Sequence, residues 1–593
     1  MAMKKLLRGA TVTFKGRQIK DLTATYLLML ILCLIFIPDS IAMEKHEKRI
    51  MVQFQNDSQI HNDLQILMKE KGSRIIEPGL FDPAFNGNKD QIYDRIFDLF
   101  QNYHIKSIQP LLSSIFTGTN YGKTEKLYLV YLSDNIVLDQ ALRLLNQHAE
   151  VEFAEPDFIG YGGGKPSFSD DFGFAISSLK NTPPVNDQMF HLQYGLLNTG
   201  QTINGVAGIP GADINAVPGW EITTGDSELI LAVLDSGIAD SHEDFQGKVY
   251  MGYNFVSDNN NFQDDHGHGT SVASIAAAKG NNNGIIAGTD WNTRILPVKV
   301  LNQNNSGYYS WWINGIQYAI EHGAHVINMS VGGSSYSSAL HNAVNEALDN
   351  NLIVVACMMN DDNDVTFYPA GFEGVFAIGA TNNRDERAAP FSWGGGSNYG
   401  DHIDFVAPGN NIASLSHTDH FSAWYWSGTS MATPFVAGTI TLMLSIDMSL
   451  DADAVYDILK ETVRPQVAGK TNEDWNPLKG WGRLDAGAEL DLTLQGVIPS
   501  NTDALFSFSD NYRFELFPNP ATNKVTIAGD LNNEKPYNVE IIALNGSKVK
   551  KIILTLHENK SVFDISDLKN GIYFVRITGK DYTFARKLIV QKP

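Results

Sequence analysis

Several hydrophobic patterns succeed one another along the 593 residues of this chain. Near the N-terminus, twelve apolar residues from Tyr26 to Ile37 follow a basic region (Lys4, Lys5, Arg8, Lys15, Arg17, Lys20) and precede Pro38, Asp39, Ser40, Ile41 and Ala42. The run is short for a membrane span and has the charge order and small flanking residues of a secretory signal, predicted over 1–42, with a retained anchor as the alternative. Further on, KLYLVYLSDNIVLDQALRLLNQHAEVEFAEPDFIGYG reads strand, helix, strand. LILAVLD, from Leu229 to Asp235, is continuously apolar and ends in an acid, the pattern of a parallel strand buried on both faces. GTSVASIAAA after His268 and the segment Met431 to Leu444 are helical, the second with Pro434 near its start, where a missing amide proton is tolerated. At the C-terminal end the pattern changes to short alternations (KVTIAG, NVEIIAL, GIYFVRI, ARKLIVQ) separated by Asn545-Gly546 and Asn570-Gly571, which predicts a small β-sandwich.

Composition sharpens this division. The chain is too long for one core, so three or four domains are expected. A formal net charge of −22 argues against nucleic-acid binding. The last 81 residues, Arg513 to Pro593, hold thirteen Lys plus Arg against eight Asp plus Glu, which gives +5 there and leaves −27 for the rest. GGGKPSFSDDFGF, from Gly162 to Phe174, is small and polar and is expected to be an accessible cleavage linker. Cys33 falls inside the signal-like run and Cys357 in an apolar strand. No internal disulfide is therefore expected after signal removal, and Cys357 reads as a buried thiol without a catalytic role.

Four segments carry chemistry: Asp235 at the end of LAVLD, His268 in DDHGHGTSVA, Asn360 in VVACMMNDD and Ser430 in SGTSMATPFVAG. A serine hydroxyl needs a base within hydrogen-bond reach and a third group that fixes the base's tautomer. His268 and Asp235 supply those roles. The anionic tetrahedral intermediate needs preorganised donors, assigned to the Asn360 side-chain amide and the Ser430 backbone amide at the positive end of its helix.

The order Asp, His, Ser and the unbroken SGTSMATPFVA string make residues 186 to about 490 resemble a subtilisin-like serine protease domain. The fold implied is α/β, a subtilisin-like parallel sheet with helices on both faces, preceded by a small α+β propeptide and followed by a small β-sandwich. The organisation expected is signal peptide 1–42, propeptide 43–165, catalytic domain 186–495, linker 496–512 and sorting sandwich 513–593. The resemblance makes Ser330, Val331 and Gly332 of INMSVGG a wall of the primary substrate pocket. It also shows two departures: Met359 stands where Ala-Gly-Asn would place glycine, and Phe367 precedes Tyr-Pro-Ala where a small residue is usual. Either these two narrow the pocket or they turn away into the core.

Asp187, Asp244 and Asn281 resemble the oxygen ligands of the family's strong calcium site, although GNNNG reads equally as an ordinary turn. VEFAEPD resembles the end of a propeptide that acts as folding template and inhibitor, the alternative being a permanent accessory domain. LFPNP and the basic KLIV ending resemble the C-terminal sorting domain of type IX secretion, where the alternative is a substrate-binding module. The reading is thus a secreted, monomeric serine endopeptidase made as a zymogen. It acts on protein or peptide substrates, is inhibited by its own propeptide, and is exported to the surface or medium by the type IX machinery. The competing class is an inactive adhesin on a protease scaffold.

Overall fold

The computed structural model describes residues 48–80, 90–116, 122–167, 185–419, 421, 423–464 and 475–497, and in the C-terminal part 514–517, 521–529, 537–543, 548–554, 560–569, 571–578, 583–590 and 592. The signal segment and most of the 496–512 linker lie outside the described residues.

A seven-stranded sheet forms the centre, in the spatial order Tyr253–Asn254, Arg294–Lys299, Ile230–Asp235, Val326–Met329, Ile353–Cys357, Phe376–Thr381 and Phe405–Pro408. Every pairing in it is parallel. Continuous apolar strands suit this position because both faces are covered. Along Ile230–Asp235, Leu231 and Val233 pack with the helices His268–Ala277 and Thr429–Ile446. Ile230, Ala232 and Leu234 pack on the opposite face with Tyr309–Glu321 and Ser338–Asp349. Each such aliphatic side chain contributes about 1.5–3 kcal/mol when fully buried. Thr429–Ile446 is long and apolar enough to cross a membrane, but 94% of it is buried in this core.

Residues 48–156 form an antiparallel sheet in the order Ile105–Pro110, Leu127–Leu132, Arg49–Phe54, Val151–Pro156. The two-residue period of Arg49–Phe54 divides its work. Ile50, Val52 and Phe54 pack under the helices Gln59–Lys71, Asp90–Asn102 and Leu138–Leu145, while Met51 faces the core that holds Trp312 and Leu340. The N-terminal unit thus has a core of its own and docks on two helices of the large sheet by its other face. Two carboxylates at its end cap those helices. Glu155 accepts from Ser338 N, Ala339 N and Ser337 Oγ at 2.6–3.0 Å, and Asp157 accepts from Ser310 N at 2.9 Å. Anions at helix N-termini satisfy otherwise unpaired amides.

The C-terminal part contains two antiparallel sheets, Phe514–Phe517 with Lys524–Gly529 and Lys560–Asp564, and Lys548–Leu554 with Tyr537–Ala543, Gly571–Thr578 and Thr583–Val590. Val525, Ile527, Val539, Val575 and Leu588 share one buried cluster between them, as alternation predicts.

Candidate active site

The sheet delivers Asp235 at the C-terminal end of its strand, fully buried. Its Oδ1 accepts from Ser236 N and lies 2.7 Å from Nδ1 of His268, the first residue of its helix. A Cβ at Gly269 would lie 2.2 Å from the Gly237 carbonyl, so only glycine lets the helix approach the aspartate strand this closely. The turn before the histidine is held by Asp264, which sequence reasoning passed over. Its carboxylate accepts from Ser236 Oγ, His266 N, Gly267 N, Thr270 N and Thr270 Oγ1. Burial alone would raise its pKa, but these donors hold it below the usual carboxylate range. The local signal was the doubled acid of DDHGHGT.

Ser430 is the second residue of its helix. Pro434 lies deeper in that helix than its expected end position, and its missing N–H leaves the Ser430 carbonyl free of the usual helical donor. That carbonyl accepts from Ser330 Oγ at 2.9 Å instead. Ser430 Oγ donates to the Ser330 carbonyl at 3.0 Å, and His268 Nε2 is buried with no hydrogen-bond partner among the described residues. The hydroxyl is therefore turned away from the imidazole in this conformation. Asn360 is oriented by Thr429 N, which donates to its Oδ1 at 2.8 Å and leaves Nδ2 facing the cleft.

The cleft holds a segment of the same chain. Ile159–Gly162 lies antiparallel between Ser306–Tyr308 and Val331–Gly332, and Lys165–Pro166 pairs with Ala423–Ser427. Between them, Gly163 N donates to the Ser330 carbonyl at 3.1 Å, and the Gly163 carbonyl accepts from Ser430 N at 3.3 Å and from Asn360 Nδ2. The expectation of an accessible linker from Gly162 is thereby corrected. Gly163, Gly164 and Ser167 are buried because strand pairing on both sides of the cleft takes up their backbone, whereas Lys165 is exposed, and residues 168–174 lie outside the described residues.

Comparison with known proteins agrees with this architecture. The profile of the subtilase family matches residues 226–482, and that of the secretion system C-terminal sorting domain matches 515–591. A thermophilic serine proteinase of Bacillus sp. (strain AK1) is 37% identical over 309 residues, 52% of this chain and 67% of that protein. Thermitase of Thermoactinomyces vulgaris is 40% identical over 232 residues, 39% of this chain and 80% of thermitase. The cell wall-associated protease of Bacillus subtilis (strain 168) is 34% identical over 363 residues, 60% of this chain and 37% of its own length. The chain belongs to the subtilase family. It is a secreted subtilisin-like serine protease carrying a type IX sorting domain.

The two departures from the family pattern, Met359 and Phe367, both lie beside Gly332 at the cleft. Met359 adopts a left-handed backbone, φ 69°, a conformation that favours glycine. For a side-chain-bearing residue such a conformation costs on the order of 1 kcal/mol. Its side chain turns under the cleft: a Cβ at Gly163 would sit 3.0 Å from Met359 Sδ, 2.9 Å from Cys357 Sγ and 2.6 Å from Ser430 Oγ. Phe367 Cβ would be in ordinary van der Waals contact, 3.6 Å, with a Cβ at Gly332, and Cys357 takes the place beside Gly163. The thiol is fully buried, 3.7 Å from Ser430 Oγ, and burial pushes its pKa up to about 11, so it stays a neutral wall. Its position two residues before Met359 was the available signal.

Asp187, Asp244 and Asn281 meet at one loop. Asp187 Oδ2 accepts from Asn281 N at 2.7 Å, Asp244 Oδ2 accepts from Ile285 N and Ile286 N, and Asn281 Oδ1 accepts from Asn186 N at 3.2 Å. Burial raises both carboxylates above their usual range, and the Asp244 charge adds to the rise at Asp187. Asn281 and Asn283 both adopt left-handed backbone, as the turn reading expects. No group of three or more His, Cys, Asp or Glu side chains is arranged to hold a metal among the described residues. The oxygens these three side chains bring, two carboxylates and one amide, are of the kind that suits a hard cation such as calcium.

Proposed function

We propose that this subtilase is an endopeptidase made as an inhibited zymogen, with Ser430 as nucleophile, His268 as general base and acid, Asp235 as the group that orients it, and Asn360 with Ser430 N as the oxyanion donors. One observation carries the reading. The Gly163 carbonyl lies in a cleft between Asn360 Nδ2 and Ser430 N, beside a His268–Asp235 pair. A carbonyl held by two preorganised donors is polarised for attack, and the same donors stabilise the oxyanion more strongly as charge develops. Attack needs the Ser430 hydroxyl to turn from Ser330 toward His268 Nε2, which takes the proton and later delivers it to the leaving amine.

The N-terminal unit, from about 43 to the cleft segment, is the inhibitor in this reading. It occupies the site with its own chain and caps two helices of the catalytic domain through Glu155 and Asp157. Residues 1–42 serve as signal peptide and 513–593 as the export address, with the mature enzyme a monomer acting on protein or peptide substrates. Asp187, Asp244 and Asn281 would hold calcium, whose charge would offset the burial of the two carboxylates. The test is fluorophosphonate labelling and casein hydrolysis by the processed protein beside its Ser430→Ala variant. Labelling and hydrolysis that vanish in the variant are expected. A processed protein that neither labels nor hydrolyses casein would establish the adhesin reading instead.

A further inference from the structure

At Gly160, Gly162 and Gly163 of the cleft segment an added Cβ would run into a wall filled by the protein's own side chains. At Gly160 a Cβ would lie 2.2 Å from Trp312 Cη2 and 2.9 Å from the Gly332 carbonyl. Trp312 is fully buried and stacked on Tyr309 at 4.8 Å, so it has no room to yield. At Gly162 a Cβ would meet Asn305 Oδ1 at 2.3 Å. At Gly163 it would meet Ser430, Cys357 and Met359, all at 3.0 Å or less. Met359 also crosses toward the opposite wall, where a Cβ at Gly332 would lie 2.6 Å from its Cγ. The space in which a large side chain would sit is occupied by a methionine kept in a strained backbone conformation and by an inert thiol. Tyr161, between these positions, is 55% exposed and leaves its place open to any side chain. On the far side of the carbonyl, a Cβ at Gly164 would be 3.2 Å from Met431 Cε and 3.3 Å from His268 Nε2, which a small residue can accommodate.

We propose that this cleft is glycine-selective, taking extended chains with glycine at the residue whose carbonyl is attacked and at the residues one and three places before it, and that the bond it cuts in its own chain is Gly163–Gly164. The inference rests on the catalytic reading above and deepens it to a substrate class, glycine-rich extended protein segments. In the self-cleavage, Ser430 Oγ bonds to the Gly163 carbonyl carbon while its proton passes to His268 Nε2. The bond to Gly164 nitrogen breaks as that nitrogen receives the proton. Water then hydrolyses the ester, leaving a Gly163 carboxylate and a restored Ser430 hydroxyl. The N-terminal unit would so end at Gly163, two residues before the expected boundary.

The test uses the processed enzyme from the full chain, titrated with fluorophosphonate, on quenched peptides Ile-Gly-Tyr-Gly-X-Gly-Lys-Pro with X = Gly, Ala, Ser, Leu or Phe. One added methyl in a packed site should lower kcat/KM about tenfold, and Leu or Phe more than about a hundredfold. Met359→Gly should raise the Leu and Phe values relative to Gly, since it empties the floor of the pocket. Intact mass and N-terminal sequencing of the processed protein should give Gly164 as the first residue. A labelled enzyme that prefers Leu or Phe, or a first residue elsewhere, overturns the glycine assignment while leaving the catalytic reading standing. A protein that neither labels nor cleaves any peptide of the set refutes the catalytic reading and this one with it.

Discussion

Replacing Asp157 by alanine should loosen the hold of the N-terminal unit on the protease without touching the catalytic groups. The Asp157 side chain is 0% exposed and lies 2.7 Å from Arg49 Nη2, itself 11% exposed. It also accepts from Ser310 N at 2.9 Å and from Ser310 Oγ at 2.7 Å, capping the helix Tyr309–Glu321. Burial pushes the carboxyl pKa upward, opposed by Arg49 and the Ser310 donors, so the group depends on those partners to carry its charge. Truncation leaves Arg49 with an unpaired buried charge and the helix without its cap. Breaking a buried pair costs about 3–5 kcal/mol, of which the cap accounts for about 1. The Arg49–Asp157 pair lies within the N-terminal unit, so only the Ser310 contacts cross to the protease, and their loss, about 1–2 kcal/mol, corresponds to a roughly 5- to 30-fold weaker inhibition constant. The assay adds the isolated N-terminal unit, wild type or Asp157→Ala, to processed enzyme and follows casein hydrolysis, with circular dichroism to establish that both units are folded. Arg49→Met with Asp157→Leu, which removes both charges, should restore the stability of the unit but not the contacts to Ser310. A change under threefold for a folded Asp157→Ala unit would refute the argument that Asp157 anchors the inhibitor.

Asn360→Ala should lower kcat about 10²- to 10³-fold with little change in stability; this range was itself established on a subtilisin and does not come from the distances here. Near-normal kcat would remove Asn360 from the oxyanion site. Excess chelator should lower Tm if calcium binds the folded state alone, by the equivalent of about 3 kcal/mol when free calcium had stood at a hundred times its Kd. Asp244→Ala should reproduce the shift, and a melting curve unmoved after long incubation would exclude the site. Asp404 accepts from Ala377 N and the Tyr456 hydroxyl, and burial pushes it up to about 6 from an ordinary 3.8. The folded state therefore binds more protons than the unfolded one between these values, and stability falls as pH rises from about 4 to 6, by about 3 kcal/mol in all. Asp404→Asn should flatten that part of the pH–Tm profile, and an unchanged slope would show that other groups set it.

The chemistry was legible in the sequence where it is local. An apolar run ending in Asp235, a glycine-bracketed His268 and the string around Ser430 each determine their own strand or helix, because backbone period and turn residues act over a few positions. The same holds for the alternating strands near the C-terminus, whereas the partners of Glu155 and Asp157 lie more than 150 residues away and were not legible. What faces the Gly163 carbonyl is not local. Gly163 meets Cys357, Met359 and Ser430 only because the sheet order brings together segments almost two hundred residues or more apart, so a run of glycines that read as an exposed linker lies buried in the cleft between two short strands. The family pattern marked Met359 as out of place, yet could not say that its side chain, with the thiol of Cys357, lies under Gly163, or that Phe367 touches the position of Gly332. Side-chain direction at a left-handed position depends on the packing around it. Periodicity determines which residues are buried, and tertiary packing decides what each one is buried against.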